Sequence, residues 1–199
     1  MKVGLTRQDI AHAGLRLLND VGLNGLTLRL IAQELGVKAP ALYWHMKNKQ
    51  ELLDEMATRM YADAMPGRVP EGMGERESLE LAARALRRMM LAYRDGAKVF
   101  AGTFMTDDSL LGDNPLQARV DAGLEPYLAG RALFTVYSYV IGFTIEEQAV
   151  YPVPGERDPR YDATPTSWVF DKDVEGRFGD GLTMVLNGVF AWLDDKVAP

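Results

Sequence analysis

The chain has 199 residues, of which 47% are hydrophobic, so it can bury a sizeable core in one or two domains. It contains no cysteine, which excludes disulfide bonds and thiolate metal sites. The net charge is −6, but residues 1–65 hold eight basic and seven acidic side chains, so this part carries +1 and the remainder −7. No stretch approaches the ~18 apolar residues of a membrane span, and no apolar signal region is visible, so we expect a cytoplasmic protein without a membrane partner.

The first predicted element is a helix that begins after Thr6 and ends near Gly22. Thr6 and Asp9 have the spacing of a capping box, in which each side chain bonds the other's backbone N–H. The helix then presents one apolar face, made of Ile10, Ala13, Leu17, Leu18 and Val21.

Residues 27–46 predict two short helices separated by a glycine turn. Thr27 can cap the first of them, which has an apolar face of Leu28, Ile31, Ala32 and Leu35. Proline suits a first helical turn, so the second helix begins around Ala39 and Pro40 and runs to about Met46. The intervening residues 36–38 have about the length of the turn in a helix-turn-helix motif.

The second short helix carries three consecutive rings at Tyr43, Trp44 and His45. At roughly 100° per residue they point in three directions, so some of them must face outward. They are flanked by basic side chains, namely Arg29, Lys38, Lys47 and Lys49. Exposed aromatic and basic groups of this kind suit the phosphate backbone and the base edges of a DNA major groove, and a small basic face predicts salt-sensitive binding.

The remaining elements are also predicted to be helical. Asn48 and Glu51 open a fourth helix with an apolar face of Leu52, Leu53, Met56, Ala57 and Met60. Prolines and glycines at 66–74 predict a domain boundary. Further helices are expected at 76–94, 97–104, 114–125, 129–151 and 174–195. Four prolines within 152–167 predict a mobile loop.

The last predicted helix carries an apolar stripe interrupted by small residues. The stripe comprises Phe178, Leu182, Val185, Leu186, Val189 and Leu193, and Gly181 and Gly188 permit close approach of another helix. Periodicity alone leaves two alternatives open, which are packing within the chain and pairing with a second copy.

Several of these motifs together resemble the tetracycline repressor (TetR) family. They are Thr27 and Arg29, Ile31-Ala32, Leu35-Gly36-Val37, Leu42-Tyr43-Trp44-His45, Lys47-Asn48-Lys49, and Arg94-Asp95-Gly96-Ala97-Lys98-Val99 followed by Gly102-Thr103. The resemblance is most specific over residues 5–60, and it extends to 86–103 and 130–150.

The resemblance implies an all-α fold and a ligand-responsive repressor. A three-helix helix-turn-helix DNA-binding domain (1–48) is followed by a connecting helix (49–65) and a larger helical ligand-binding and dimerisation domain (66–199). Family members are homodimers that bind a double-stranded, palindromic operator, and they dimerise through a four-helix bundle formed by the last helix and the helix at 129–151. The implied DNA-binding residues are Thr27, Arg29, Lys38, Ala39, Pro40, Ala41, Tyr43, Trp44, His45 and Lys49. Ala39 and Ala41 replace polar base-reading residues, so the operator is expected to differ.

The effector site departs from that of the tetracycline-binding members of the family. Those members hold the drug as a magnesium chelate through a histidine, and here that position is Phe100, with Ala82 and Leu86 in place of polar contacts. Glu146 matches a glutamate near their metal, although of Glu146 and Glu147 one is expected to be solvated and the other half-buried. The implied pocket comprises Leu86, Met89, Met90, Phe100, Thr103, Phe104, Met105, Leu133, Tyr137, Ile141 and Glu146. It predicts a small hydrophobic, aromatic effector, with no metal and no other cofactor.

Other classes of protein are weighed against this interpretation. An enzyme is disfavoured, because neither histidine has a triad or metal partner by spacing and the chain has no Gly-rich phosphate loop. An activator of the same fold remains an alternative, as does a helical adaptor that uses the aromatic helix for protein contacts.

Overall fold

A computed structural model describes residues 4–64, 72–112, 114–153, 155–162, 165, 167–169 and 173–197. Within these ranges the fold is all-α, as predicted, and an isolated bridge between Val153 and Glu156 is the one strand-like pairing. The helices are α1 (Arg7–Gly25), α2 (Leu28–Glu34), α3 (Ala39–Tyr43), α4 (Lys49–Ala64), α5 (Glu75–Leu91), α6 (Gly96–Phe100), α7 (Gln117–Asp121), α8 (Pro126–Val150) and α9 (Val174–Val197).

The described residues form two compact units. The first unit comprises those of Met1–Met65 and Arg88–Leu110, and the second comprises those of Pro66–Arg87 and Leu111–Pro199. Residues 88–110 therefore group with the N-terminal helices, although the sequence analysis assigned them to the domain at 66–199. Of the predicted boundary at 66–74, residues 66–71 lie outside the described residues.

In the first unit, α4 packs against α1 and α6, and α2 packs against α1 and α3. The capping box predicted at the start of α1 is present, with Thr6 and Asp9 bonded reciprocally. Gly22 has a positive φ of 67°, so the backbone is non-helical there and regular helix ends where the sequence predicted. The core of this unit consists of apolar side chains, among them Ile10, Leu18, Ile31, Leu42, Met46, Leu52, Met56, Met60, Met90 and Val99.

Several helices are shorter than the sequence predicted. Helix α3 ends at Tyr43 and not near Met46, and the backbone N–H groups of His45 and Met46 both donate to the Leu42 carbonyl. Helix α6 ends at Phe100 and not at 104, because Ala101 is extended and Gly102 has a φ of 73°. The helices predicted at 76–94 and 114–125 are likewise shorter, at 75–91 and 117–121.

The second unit is built on the pair α8 and α9. In the stripe of α9, every residue except the half-buried Val185 is buried within the chain, so the stripe packs intramolecularly. Phe178 packs against the rings of Tyr139 and Phe143 on α8. A Cβ at Gly181 would lie 2.2 Å from the Tyr139 hydroxyl, which donates to the Phe178 carbonyl, so this glycine serves packing within the chain.

Helix α8 is long and apolar enough, by length and composition, to cross a membrane. The expectation that no stretch approaches a membrane span was therefore wrong for this helix. The same length and composition suit a helix that packs against other protein helices, and a third of its most apolar window is buried inside the chain.

The predicted loop at 152–167 follows α8. In its described part the Asp158 N–H donates to the Val150 carbonyl, and residues 159–161 form a 3-10 turn. Residues 154, 163, 164 and 166 lie outside the described residues.

Candidate nucleic-acid interface and ligand-binding residues

Helices α2 and α3 form the predicted helix-turn-helix. The Thr27 hydroxyl accepts from the Leu30 N–H at 3.2 Å, which caps α2, and Gly36 adopts a φ of 66° in the turn between the helices. The apolar side chains beneath them, Leu28, Ile31, Ala32, Leu42 and Met46, are buried. The two helices and the turn between them therefore pack together on a shared set of buried apolar side chains, as the sequence predicted.

The aromatic residues after Leu42 divide between two environments. Trp44 is 90% exposed and Tyr43 is 54% exposed, whereas His45 is half-buried. The prediction that some of these rings must face outward is therefore confirmed. Exposed apolar rings at a helix end are available for contact with sugars, phosphates or base edges.

The surface around these rings is basic. Arg29, Lys38, Lys47 and Lys49 are all exposed, and Glu34, the sole acidic residue between positions 27 and 49, lies 3.8 Å from Arg16. Lys49 also has an intramolecular partner, because its ammonium donates to the Leu23 carbonyl at 2.8 Å. Pro40 is exposed and Ala39 and Ala41 are half-buried, so they add small apolar groups to this face.

The residues predicted to bind the effector are divided between the two units. Met89, Met90, Phe100, Thr103, Phe104 and Met105 belong to the first unit, and Leu86, Leu133, Tyr137, Ile141 and Glu146 belong to the second. In the first group, Met89, Met90 and Phe100 are buried, and Thr103 and Met105 are half-buried. Phe104 is 80% exposed.

The predicted effector-binding residues of the second unit also differ in how far their side chains are exposed. Ile141 is buried, Leu86, Leu133 and Tyr137 are half-buried, and Glu146 is exposed. Burial raises the pKa of the Tyr137 phenol, so this ring keeps its hydroxyl proton and remains able to donate a hydrogen bond.

The donor groups expected for a magnesium chelate do not fit such a site. Phe100 has no ligating atom, and the Thr103 hydroxyl donates to the Phe100 carbonyl at 2.7 Å. Glu146 is exposed, and the described residues contain no group of three His, Asp or Glu side chains that could hold a metal ion. Mg²⁺ usually keeps several of its waters and needs few protein ligands, and here the side chain at position 100 supplies none.

Glu147, next to Glu146, is held by a buried arginine. Arg87 is 3% exposed, and it donates to both carboxylate oxygens of Glu147 at 2.8 Å and to Glu175 at 2.7 Å. Its guanidinium also lies 4.6 Å from the centre of the Phe178 ring. The bidentate bond joins α5 to α8, so Glu147 has a structural role, and the prediction of one solvated and one half-buried glutamate is confirmed.

Two sequence profiles of known families match the chain. The profile for bacterial regulatory proteins of the tetR family matches residues 10–56, and that for the tetracyclin repressor-like C-terminal domain matches residues 70–193. The chain belongs to the TetR family. It is therefore a DNA-binding regulator and not an enzyme.

Individual TetR-family proteins are similar over nearly the whole chain. The class A tetracycline repressor from transposon 1721 of Escherichia coli is 36% identical over 195 residues, which cover 93% of this chain and 90% of that protein. The structure of TetR (class A) with 5a,6-anhydrotetracycline and magnesium has a TM-score of 0.71 at 31% identity and covers 94% of this chain and 99% of that one. BioQ with its double-stranded DNA operator has a TM-score of 0.69 at 29% identity, with the same coverages.

Sequence reasoning missed a group of polar residues that the TetR-family fold buries. Glu55, Thr58 and Arg87 are buried, and none of them was singled out in the sequence. A weak signal was available, because Glu55 and Thr58 interrupt the apolar face of α4 on either side of Met56 and Ala57. Besides neighbours on the same helix, these residues have partners 48 to 88 positions away along the chain, and these long-range partners could not be inferred from spacing.

Proposed function

We propose that this TetR-family protein is a ligand-responsive transcriptional repressor that works as a homodimer in the cytoplasm. Each protomer places α3 on one half of a palindromic, double-stranded DNA operator, and a small hydrophobic, aromatic effector releases the protein. The observation that carries the DNA-binding part is the exposure of Tyr43 and Trp44 within a surface bearing four exposed basic side chains. A relative of the same fold, BioQ, has been solved with its operator.

A homodimer is supported by a largely apolar surface on α8 and α9 that is exposed in the single chain. Tyr127, Phe134 and Met184 are each at least 66% exposed. An open groove of about 420 Å³ lies between the two helices and is lined by Arg131, Ala132, Thr135, Met184, Val185, Gly188, Val189 and Trp192. A Cβ at Gly188 would meet no atom within 4 Å, so the space above it is free for a second copy of the helix pair.

A dimer also suits the size of the DNA-reading element. Helix α3 has five residues and can offer few base contacts by itself. A two-fold symmetric pair doubles these contacts when its recognition helices meet half-sites about one DNA turn apart. Any effector that changes this separation weakens operator binding.

Replacing Tyr43 by alanine is expected to weaken operator binding by about 1–3 kcal/mol, because a base-edge or phosphate contact is lost. The thermal midpoint of unfolding should hardly change, since the ring is exposed. Fluorescence anisotropy on a duplex that the wild-type protein selects from a random library measures the binding. Leu111→Ala, which alters another exposed apolar residue, serves as the control and should bind normally. A Tyr43 variant that melts early and binds normally once folded would show that the ring supports the core.

The effector is proposed to be less polar than a magnesium chelate. Phe100 replaces the histidine of the tetracycline-binding relatives, and methionine, phenylalanine and tyrosine side chains predominate in the predicted set. Flexible methionines and amphipathic aromatic rings favour a flat, largely hydrophobic ligand. Of the predicted polar contributors, Thr103 is bonded to the Phe100 carbonyl and Glu146 is exposed.

Binding of 5a,6-anhydrotetracycline to this protein is expected to be unchanged by chelator, because position 100 supplies no metal ligand. Ligand fluorescence titrated in EDTA and in millimolar magnesium measures the two affinities. The matched variant Phe100→His restores a ligating nitrogen, and magnesium should tighten its binding about tenfold or more. If magnesium tightened binding to the wild-type protein as strongly, the metal-free site would be wrong. Failure to bind in either buffer would remove this class of ligand from the proposal.

A further inference from the structure

A buried carboxylate on α4 connects three separate segments of the first unit. Glu55 is 5% exposed. Its Oε2 atom accepts from the Arg7 Nε at 3.3 Å and from the Thr106 hydroxyl at 3.0 Å. Its Oε1 atom lies 3.5 Å from the Arg59 Nε. One carboxylate oxygen is therefore shared between the start of α1 and the segment that follows α6.

Arg7 carries this connection to the recognition helix α3. Its Nη1 atom donates to the backbone carbonyl of His45, two residues beyond the end of α3, while its Nε atom is bonded to Glu55. The same Nη1 atom lies 3.5 Å from Glu51, which caps the N–H of Lys47. The guanidinium thus holds the short turn that carries the exposed rings of Tyr43 and Trp44.

Thr106 anchors the other end of the connection. Its backbone N–H donates to the Thr58 hydroxyl at 2.9 Å, and the Phe104 N–H donates to the Asp54 carboxylate at 3.2 Å. The segment 104–106 therefore runs along α4 and is bonded to it at successive turns. This segment contains Phe104 and Met105, which belong to the proposed effector-binding set.

A buried charge is stable only while its hydrogen-bond partners stay in place. Because Arg7 and Thr106 share one oxygen of Glu55, a displacement of Thr106 changes the electrostatic restraint on Arg7. We propose that Arg7, Glu55 and Thr106 form a polar relay between segment 104–106 and α3, and that Arg7 is a positioning residue that orients Tyr43 and Trp44 for DNA. The operator-binding part of this inference rests on the proposed function.

The relay is tested with conservative variants in the full-length protein. Lysine at position 7 keeps the charge but cannot bond both Glu55 and the His45 carbonyl, and valine at position 106 keeps the shape but removes the hydroxyl. Arg16→Lys is the matched control, since Arg16 lies on the same helix, is exposed and makes a surface ion pair with Glu34. Hydrogen exchange of a peptide covering residues 42–46 reports on the turn, and anisotropy on the library-selected duplex reports on operator binding.

Arg7→Lys is expected to speed exchange at residues 42–46 about tenfold and to weaken operator binding by a similar factor, with a small change in thermal midpoint. Thr106→Val should speed exchange in the same peptide, although Thr106 makes no bond to it. The double variant should add little to Arg7→Lys alone, because both act through Glu55. Arg16→Lys should change none of these quantities.

Two results would overturn the relay. One is faster exchange in Arg7→Lys with no change in Thr106→Val, and the other is full additivity in the double variant. If Arg7→Lys fails to fold, Glu55→Gln replaces it, since the amide keeps the size and removes the charge. If the wild-type protein selects no duplex, the proposed function fails, and the exchange measurements still decide whether the relay exists.

Discussion

Replacing Arg87 by methionine is expected to lower the free energy of unfolding by about 3–5 kcal/mol, because the change leaves Glu147 in a mostly buried site without its partner. Burial by itself would lower the pKa of Arg87, but the hydrogen bonds and negative charges of Glu147 and Glu175 raise it above its usual value. The arginine therefore stays charged, and its loss also removes the contact with the Phe178 ring.

Urea denaturation at one fixed protein concentration measures this loss. The neighbouring Arg88 is exposed, so Arg88→Met is the matched control and should change stability by no more than about 0.5 kcal/mol. The double variant Arg87→Met with Glu147→Leu should recover much of the lost stability, because no unpaired charge remains. Equal stability of Arg87→Met and Arg88→Met would show that the buried ion pair contributes nothing net.

Replacing Met184 by glutamate is expected to convert the protein from a dimer to a monomer. Met184 is 70% exposed and lines the groove between α8 and α9, where a second copy is proposed to bind. A carboxylate placed in this groove must lose its hydration when a second copy binds, and that cost opposes association. Sedimentation at micromolar concentration, without DNA, should report a dimer for the wild-type protein and a monomer for the variant. Operator affinity should then fall about 100-fold or more, since the two half-sites are no longer bound together.

Leu111→Glu is the control for this experiment. Leu111 is also an exposed apolar residue of the second unit, but it does not line the groove. This variant should remain a dimer and bind the operator normally. A wild-type protein that sediments as a monomer, or a Met184→Glu variant that remains a dimer, would remove the groove from the proposed interface.

Much of the candidate DNA-binding surface could be predicted, because its signals are local in the chain. The caps at Thr6 and Thr27 depend on residues three positions away, and both form as expected. Three consecutive rings on a short helix cannot all be buried, although the geometry does not say which of them are exposed, and the structure shows that they are Tyr43 and Trp44. The presence of the longer helices could also be predicted from the sequence, since their hydrophobic periodicity extends over several turns.

The buried polar contacts could not be predicted, because their partners are distant in sequence. A glutamate on an amphipathic helix is usually solvated, and the sequence does not show that Arg7 and Thr106 meet at Glu55. The positions at which α3 and α6 end could not be predicted either, because the residues that follow each helix contact distant parts of the chain. The His45 carbonyl is bonded to an arginine from α1, and the segment after Phe100 is bonded to α4. The periodicity of α9 could not show which helix packs against its apolar stripe, and the structure shows that it is α8 of the same chain.

The grouping of residues 88–110 with the N-terminal helices bears on how such regulators can be recombined. Val99 and Phe100 are buried in the first unit, and Asp95 accepts from the Leu23 N–H at 3.0 Å. A chimera that joins residues 1–65 to a foreign sensor domain would lack these groups, leaving part of α4 uncovered and the Leu23 amide without its acceptor. We therefore expect that residues 1–65 alone do not transfer operator specificity to another protein. A working chimera should include residues 88–110 as well.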